Sequence, residues 1–149
     1  MCKEINKNKL FNYINVVPAT LYGPYYSKNQ SDEHVLTAML NKFSKNDLII
    51  THYGDGKSKR EFLYIYDLFD SIYYMYKKKI KKELINVGTG RDYSIKNLNK
   101  IIMNLFKYKG KIIWDKTRPN GVRRKILNCN FLKKKGWSAN YDLVDGLKE

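Results

Sequence analysis

Cysteine and histidine are scarce in this chain of 149 residues, with only Cys2, Cys129, His34 and His52. Two thiols so far apart give neither a Cys-x-x-Cys pair nor a disulfide framework. With only two imidazoles beside them, no structural metal site is expected. A reducing, cytoplasmic setting fits this usage. No apolar run approaches the roughly 20 residues that span a bilayer, so no membrane segment is expected. The opening stretch MCKEINKNKLFNY lacks the apolar centre of a secretory signal. Internal repeats and low-complexity linkers are also missing. Acid is short as well: 14 Asp and Glu stand against 29 Lys and Arg, a formal charge of +15. That excess suits nucleic acid, an anionic membrane surface or a phosphorylated small molecule. Runs such as Lys77–Lys79, Lys81, Lys82 and Lys133–Lys135 fall at expected helix ends and linkers, where they read equally well as solvated surface.

What is present is enough for one packed domain: 43% hydrophobic and 14% aromatic residues in 149. Residues 14–19 read as a short buried strand that meets a Tyr-Gly-Pro turn at Tyr22-Gly23-Pro24. Ser31-Asp32-Glu33 reads as a helix start that places His34 in the first turn. Val35, Leu36, Met39, Leu40 and Phe43 then recur at helical spacing. DLIITHYG reads as a strand closing in a hairpin-like turn at Gly54-Asp55-Gly56, and KREFLYI resumes extended structure. YDLFDSIYYMYKKK is helical, with Leu68, Ile72, Met75 and Tyr76 on one side. LINVGTG is a buried strand, and Ser94 caps a helix carrying Ile95, Leu98, Ile101, Ile102 and Leu105. KGKIIWD is a further strand, NFLKKKGW a brief helix stopped by Gly136, and LVDGLKE the start of a last helix. The alternation predicts an α/β fold.

Four constellations bear on chemistry. Gly88-Thr89-Gly90 follows a strand, but Tyr93 stands where a dinucleotide fingerprint needs its third glycine, so a turn into the next helix explains it. His34 lies off the apolar stripe, with Lys42 about 12 Å further along the same helix at 1.5 Å per residue. It reads as a proton-transfer group near neutral pH or as a surface histidine. Tyr53 before the turn and Arg60 after it can face one cleft, an aromatic for a sugar or base and a guanidinium fork for phosphate. RPNGVRRKIL sets Arg118, Arg123, Arg124 and Lys125 around a Pro-Asn-Gly turn, a diphosphate clamp or a charged surface turn.

VVPATLYGP, HVLTAML, YGDGKSKREFLYIYDL, INVGTG, YSIKNL and the RPNG loop together resemble the C-terminal half of the GDP-L-fucose synthases, in the extended short-chain dehydrogenase/reductase superfamily. The resemblance runs over residues 16–147. It implies the last Rossmann strands plus a small α/β substrate domain, truncated at both ends. Residues 1–30 would close the NADP-binding domain, and 31–149 would mainly bind the sugar nucleotide, with segments returning to the Rossmann sheet. It implies NADP(H) as cofactor, held mainly by a preceding half, and GDP-4-dehydro-6-deoxy-D-mannose as substrate, epimerised at C3 and C5 and reduced at C4. It further implies a homodimer for the full-length enzyme, and little activity for this chain alone.

By position, His34 matches the family's epimerisation acid, which also lies near the cofactor. Pro18, Ala19, Thr20 and Leu21 match the loop beside the nicotinamide. Lys42 stands for a substrate arginine, Tyr53 for a tryptophan, and Thr20 for an asparagine. Arg60, Arg118, Asn120 and Lys125 match substrate-binding positions. The glycine-rich cofactor loop and the Tyr-x-x-x-Lys pair have no counterpart among these residues. Other sugar-nucleotide epimerases or dehydratases of the superfamily, and a basic nucleic-acid-binding module, are the competing readings.

Overall fold

The computed structural model describes residues 13–24 and 34–149. The expected Ser31-Asp32-Glu33 helix start lies outside the described residues, as does Cys2. Strand β1 (Asn15–Pro18) pairs in parallel with β5 (Leu84–Val87), in register from Asn15 opposite Leu84 to Pro18 opposite Val87. At Ala19 the chain leaves this pair, and its N–H donates to the Val87 carbonyl at 2.8 Å. It continues as β2 (Thr20–Tyr22), now parallel to β4 (Lys59–Tyr64). Two further strands flank the first half of β4: β6 (Asp92–Ser94) antiparallel, β8 (Arg124–Lys125) parallel. A third pair joins β3 (Ile49–Tyr53) to β7 (Lys111–Asp115).

Strand alternation lets β4 serve two cores, because successive side chains point to opposite faces. Phe62 enters one core with Leu36, Met39 and Phe43 of α1 (Val35–Ser44) and Leu98 and Ile102 of α3 (Ile95–Leu105). Leu63 enters the other with Met75 of α2 (Ile65–Lys77), Ile85 and Val87 of β5, and Leu132 of α4 (Asn130–Lys134). A last short helix, α5 (Leu143–Gly146), closes the first core through Leu143. Helix α3 starts where expected: Ser94 Oγ accepts from the Asn97 N–H at 3.1 Å. The N–H groups of Ile95 and Lys96 donate to the carbonyls of Ser58 and Gly56, which satisfies first-turn donors that a helix cannot pair internally.

Four expectations need correction. Gly54-Asp55-Gly56 does not make a hairpin: β3 pairs with β7, some sixty residues later, and the turn carries the chain from one sheet to another. The 14–19 strand is half-buried rather than buried, because β1 has a partner on one side only among the described strands. Helix α2 turns Asp67, Ser71 and Met75 inward, while Ile72 and Tyr76 face solvent. Asp67 decides that orientation, since its carboxylate accepts from the N–H groups of Asn140 and Tyr141 at 2.8 and 3.1 Å. His34 is the residue before the first helical turn rather than within it, with φ −62° and ψ 147°.

Candidate functional site

The split between β1 and β2 opens a crevice at the carboxyl ends of parallel strands, the place where open α/β sheets hold ligands. A cavity of about 690 Å³ sits there. The strand-end residues Pro18, Ala19, Thr20 and Leu21 form one wall, and His34, Glu61, Ile65 and Lys125 line the others. Gly23 is required at the floor, because a Cβ there would come within 3.2 Å of Ile65 Cβ and closer still to its methyl. The His34 carbonyl accepts the first helical bond from Ala38 at 3.0 Å, while its imidazole takes no part in the cap. The ring is therefore left exposed at the cavity.

Glu61 is the residue that sequence reasoning missed. It is 2% exposed, in a strand that otherwise begins with cations. One carboxylate oxygen accepts from the Gly90 N–H at 2.6 Å and the other from the Leu127 N–H at 2.8 Å. Glu61 thus ties the Gly88-Thr89-Gly90 turn and the segment after Lys125 to β4. Gly88 has no room for a side chain, since a Cβ there would strike Glu61. The Gly-x-Gly turn therefore has a structural use, as its missing third glycine implied. The available signal was position: Glu61 opens the buried run Glu61–Tyr64 in β4.

A second cluster lies at the other end of α1. Tyr53 ends β3 and is 65% exposed. Lys42 Nζ stands 5.4 Å from the ring centroid while donating to the Thr51 carbonyl at 2.7 Å. The Arg118 guanidinium stands 5.5 Å from the same centroid. An aromatic ring with two cations over it makes an exposed, positively charged corner that suits a phosphate-bearing group. Beneath it, buried His52 bonds through Nε2 to Asn99 Oδ1 at 2.7 Å and packs on Trp114 and Phe43. Burial holds the His52 imidazole below its ordinary pKa, and the Lys42 charge adds to that.

The 118–125 loop joins the two clusters. Asn120 Oδ1 accepts from the Asp55 N–H at 2.9 Å, and Arg60 Nη1 donates to the Lys59 and Val122 carbonyls, both at 2.7 Å. These two side chains hold the loop on the Gly-Asp-Gly turn and on β4. Lys125 lies opposite Arg60 in register and reaches the cavity. The structure therefore groups Pro18, Ala19, Thr20, Leu21, His34 and Lys125 at one end, and Lys42, Tyr53 and Arg118 at the other. Arg60 and Asn120 brace the loop between them. No cluster of three or more metal-ligating side chains occurs among the described residues. None of the described helices is long and apolar enough to cross a membrane.

Known proteins share this arrangement of elements. The sequence profile of the NAD dependent epimerase/dehydratase family matches residues 1–88. The chain is 35% identical over 157 residues to the GDP-L-colitose synthase of Yersinia pseudotuberculosis, covering 100% of this chain and 50% of that protein. It is 31% identical over 160 residues to the GDP-L-fucose synthase of Escherichia coli K12, covering 99% and 50%. Among solved structures, the GDP-mannoheptose C4 reductase of Campylobacter jejuni with NADP bound is similar at a TM-score of 0.81 and 29% identity, covering 99% of this chain and 51% of that one. The chain spans about half the length of the curated relatives it matches.

Proposed function

Because the chain belongs to the NAD dependent epimerase/dehydratase family, we propose that it is the sugar-nucleotide-binding half of an NADP(H)-dependent enzyme that epimerises and reduces a GDP-4-dehydro-6-deoxyhexose, as a GDP-L-fucose synthase does. The observation that carries this is the pairing of two ends along α1. The sugar lies in the cavity between the strand-end loop and His34, and the guanine lies toward Tyr53. Lys42, Arg118 and Lys125 supply the positive charge for the diphosphate between them.

The residues fit the nicotinamide end of the cofactor: Pro18, Ala19 and Leu21 offer a mainly apolar wall at a strand end. NADPH, when bound, supplies the hydride that reduces C4. The remaining chemistry follows from the keto group. A carbonyl at C4 acidifies the C–H bonds at C3 and C5, so removing a proton from one face and returning it to the other inverts the centre. His34 stands on the cavity wall with its ring free of capping, and an imidazole exchanges protons near neutral pH. In this reading it returns the proton, while Glu61 keeps the Lys125 wall in place.

The full chain fused behind the cofactor-binding half of the E. coli relative tests the assignment. His34→Gln should cut incorporation of solvent deuterium at C3 and C5 at least 10-fold while NADPH affinity stays within about twofold. Unchanged deuterium incorporation would contradict the role given to His34.

A further inference from the structure

Two lysine runs far apart in the sequence meet on one face. Helix α2 ends at Lys77, and the chain turns back at once. The Lys79 N–H donates to the Tyr76 carbonyl at 3.1 Å, and the Ile80 N–H to the Met75 carbonyl at 3.0 Å. Buried Ile80 shares a core with Leu132 of α4, and the Tyr74 hydroxyl donates to the Lys135 carbonyl. These contacts bring residues 78–82 beside the end of α4. There the half-buried Phe131 forms a wall common to two hollows of about 410 and 790 Å³. Lys78, Lys79, Lys81 and Lys135 line the first, Lys82 and Lys134 the second.

We propose that this face is a docking groove for single-stranded nucleic acid, a second site that does not depend on the functional reading above. No residue of either hollow lines the cavity at the strand ends. Charge complementarity selects the ligand. All six lysines are exposed, and among the described residues none of them pairs with a carboxylate. Among those residues Glu83 is the one acid that lines either hollow. Like charges crowded in this way repel one another, and a chain of phosphates relieves that repulsion. A helix dipole favours cations only within the last turn. Lys81 and Lys82 lie beyond the end of α2, so the dipole does not account for them.

The shape of the patch favours a strand over a lipid surface. The cations are divided between two hollows that share an aromatic wall, so successive phosphates of one strand can follow them. Lys82 Nζ stands 4.0 Å from the Phe131 centroid, which holds a cation against that wall. In the second hollow, Asn86, Asn128 and Asn130 supply neutral donors and acceptors for bases and sugar hydroxyls. A membrane-binding face would turn apolar side chains outward among its lysines. At the first hollow Ile80 is buried instead, and Phe131 is half-buried. A mononucleotide engages too few of the six lysines to bind tightly here.

Fluorescence anisotropy of the 149-residue chain with a labelled oligouridylate of about 12 nucleotides tests this. Affinity should fall about 300-fold between about 50 and 200 mM salt, the slope expected when six cations displace counterions from a single strand. Lys79→Gln with Lys81→Gln and Lys135→Gln should weaken binding at least about 10-fold at the lower salt and roughly halve that slope. Lys100→Gln with Lys107→Gln and Lys109→Gln removes the same charge in and after α3, and affinity should stay within about twofold. Excess GDP at constant ionic strength should leave the strand bound. An equal loss in the two triple variants would reduce the effect to net charge and overturn the proposal. So would displacement by GDP, or binding to phosphatidylserine vesicles with none to the oligonucleotide.

Discussion

At the scale of the residue, the account rests on a few side chains with distinct duties. In the proposed reading Tyr53 offers the ring on which the base stacks, an interaction worth about 1–3 kcal/mol per base. Tyr53→Ala should therefore weaken GDP binding about 10-fold or more by calorimetry, and Tyr53→Trp should retain it. Equal affinity in the alanine variant would remove the stacking role. Glu61 acts indirectly, through the backbone groups it holds. Glu61→Ala leaves the N–H groups of Gly90 and Leu127 without their partner. Each buried donor so orphaned costs about 1–3 kcal/mol. Urea unfolding should show a loss in that range or above; a midpoint unchanged from the parent would show the carboxylate to be dispensable.

At the scale of the element, β3 carries a titration that the sequence does not announce. The His52 imidazole is held below its ordinary pKa by burial, and its folded state therefore prefers the neutral ring. The unfolded chain, with a histidine pKa of about 6.5, binds the proton first as pH falls. His52 thus contributes stability that is fully present above about pH 6.5 and is lost as pH falls below it toward the folded value. Asp115 and Asp142 are held below the usual carboxylate pKa by their hydrogen bonds and stay charged through this window. The urea midpoint should drop between pH 7 and pH 5, and His52→Gln should flatten that drop. A midpoint insensitive to pH in the parent chain would contradict the sign argued here.

Elements also show what was legible beforehand and what was not. The Ser94 cap and the Leu98–Ile102 stripe of α3 are local, so spacing alone revealed them. The partner of β3 was hidden, because a parallel partner comes only after a long crossover and leaves no mark near the Gly-Asp-Gly turn. The inward face of α2 was misread because apolar residues occupy both sides of that helix, and a buried Asp67 sets its rotation. Within the site, the strand-end loop, His34 and Lys125 line one cavity. Arg60 and Asn120 instead show loop-bracing bonds, which depend on backbone groups that no side-chain pattern encodes.

At the scale of the whole molecule, the net charge of +15 resolves into separate uses. Lys77, Lys133 and Lys134 sit in the last turns of α2 and α4, where the helix dipole favours cations. Lys42, Arg118 and Lys125 belong to the two ends of the proposed site. The central claim, that one GDP-linked sugar runs along α1 between those ends, is tested most directly by titrating the labelled chain with GDP and following its backbone amide resonances. The account predicts saturable shifts at Lys42, Tyr53, Arg118 and Lys125, with the lysine-rich end of α2 unmoved. Saturable shifts confined to Lys77–Lys82 and Lys133–Lys135, or no saturable shift at all, would contradict it.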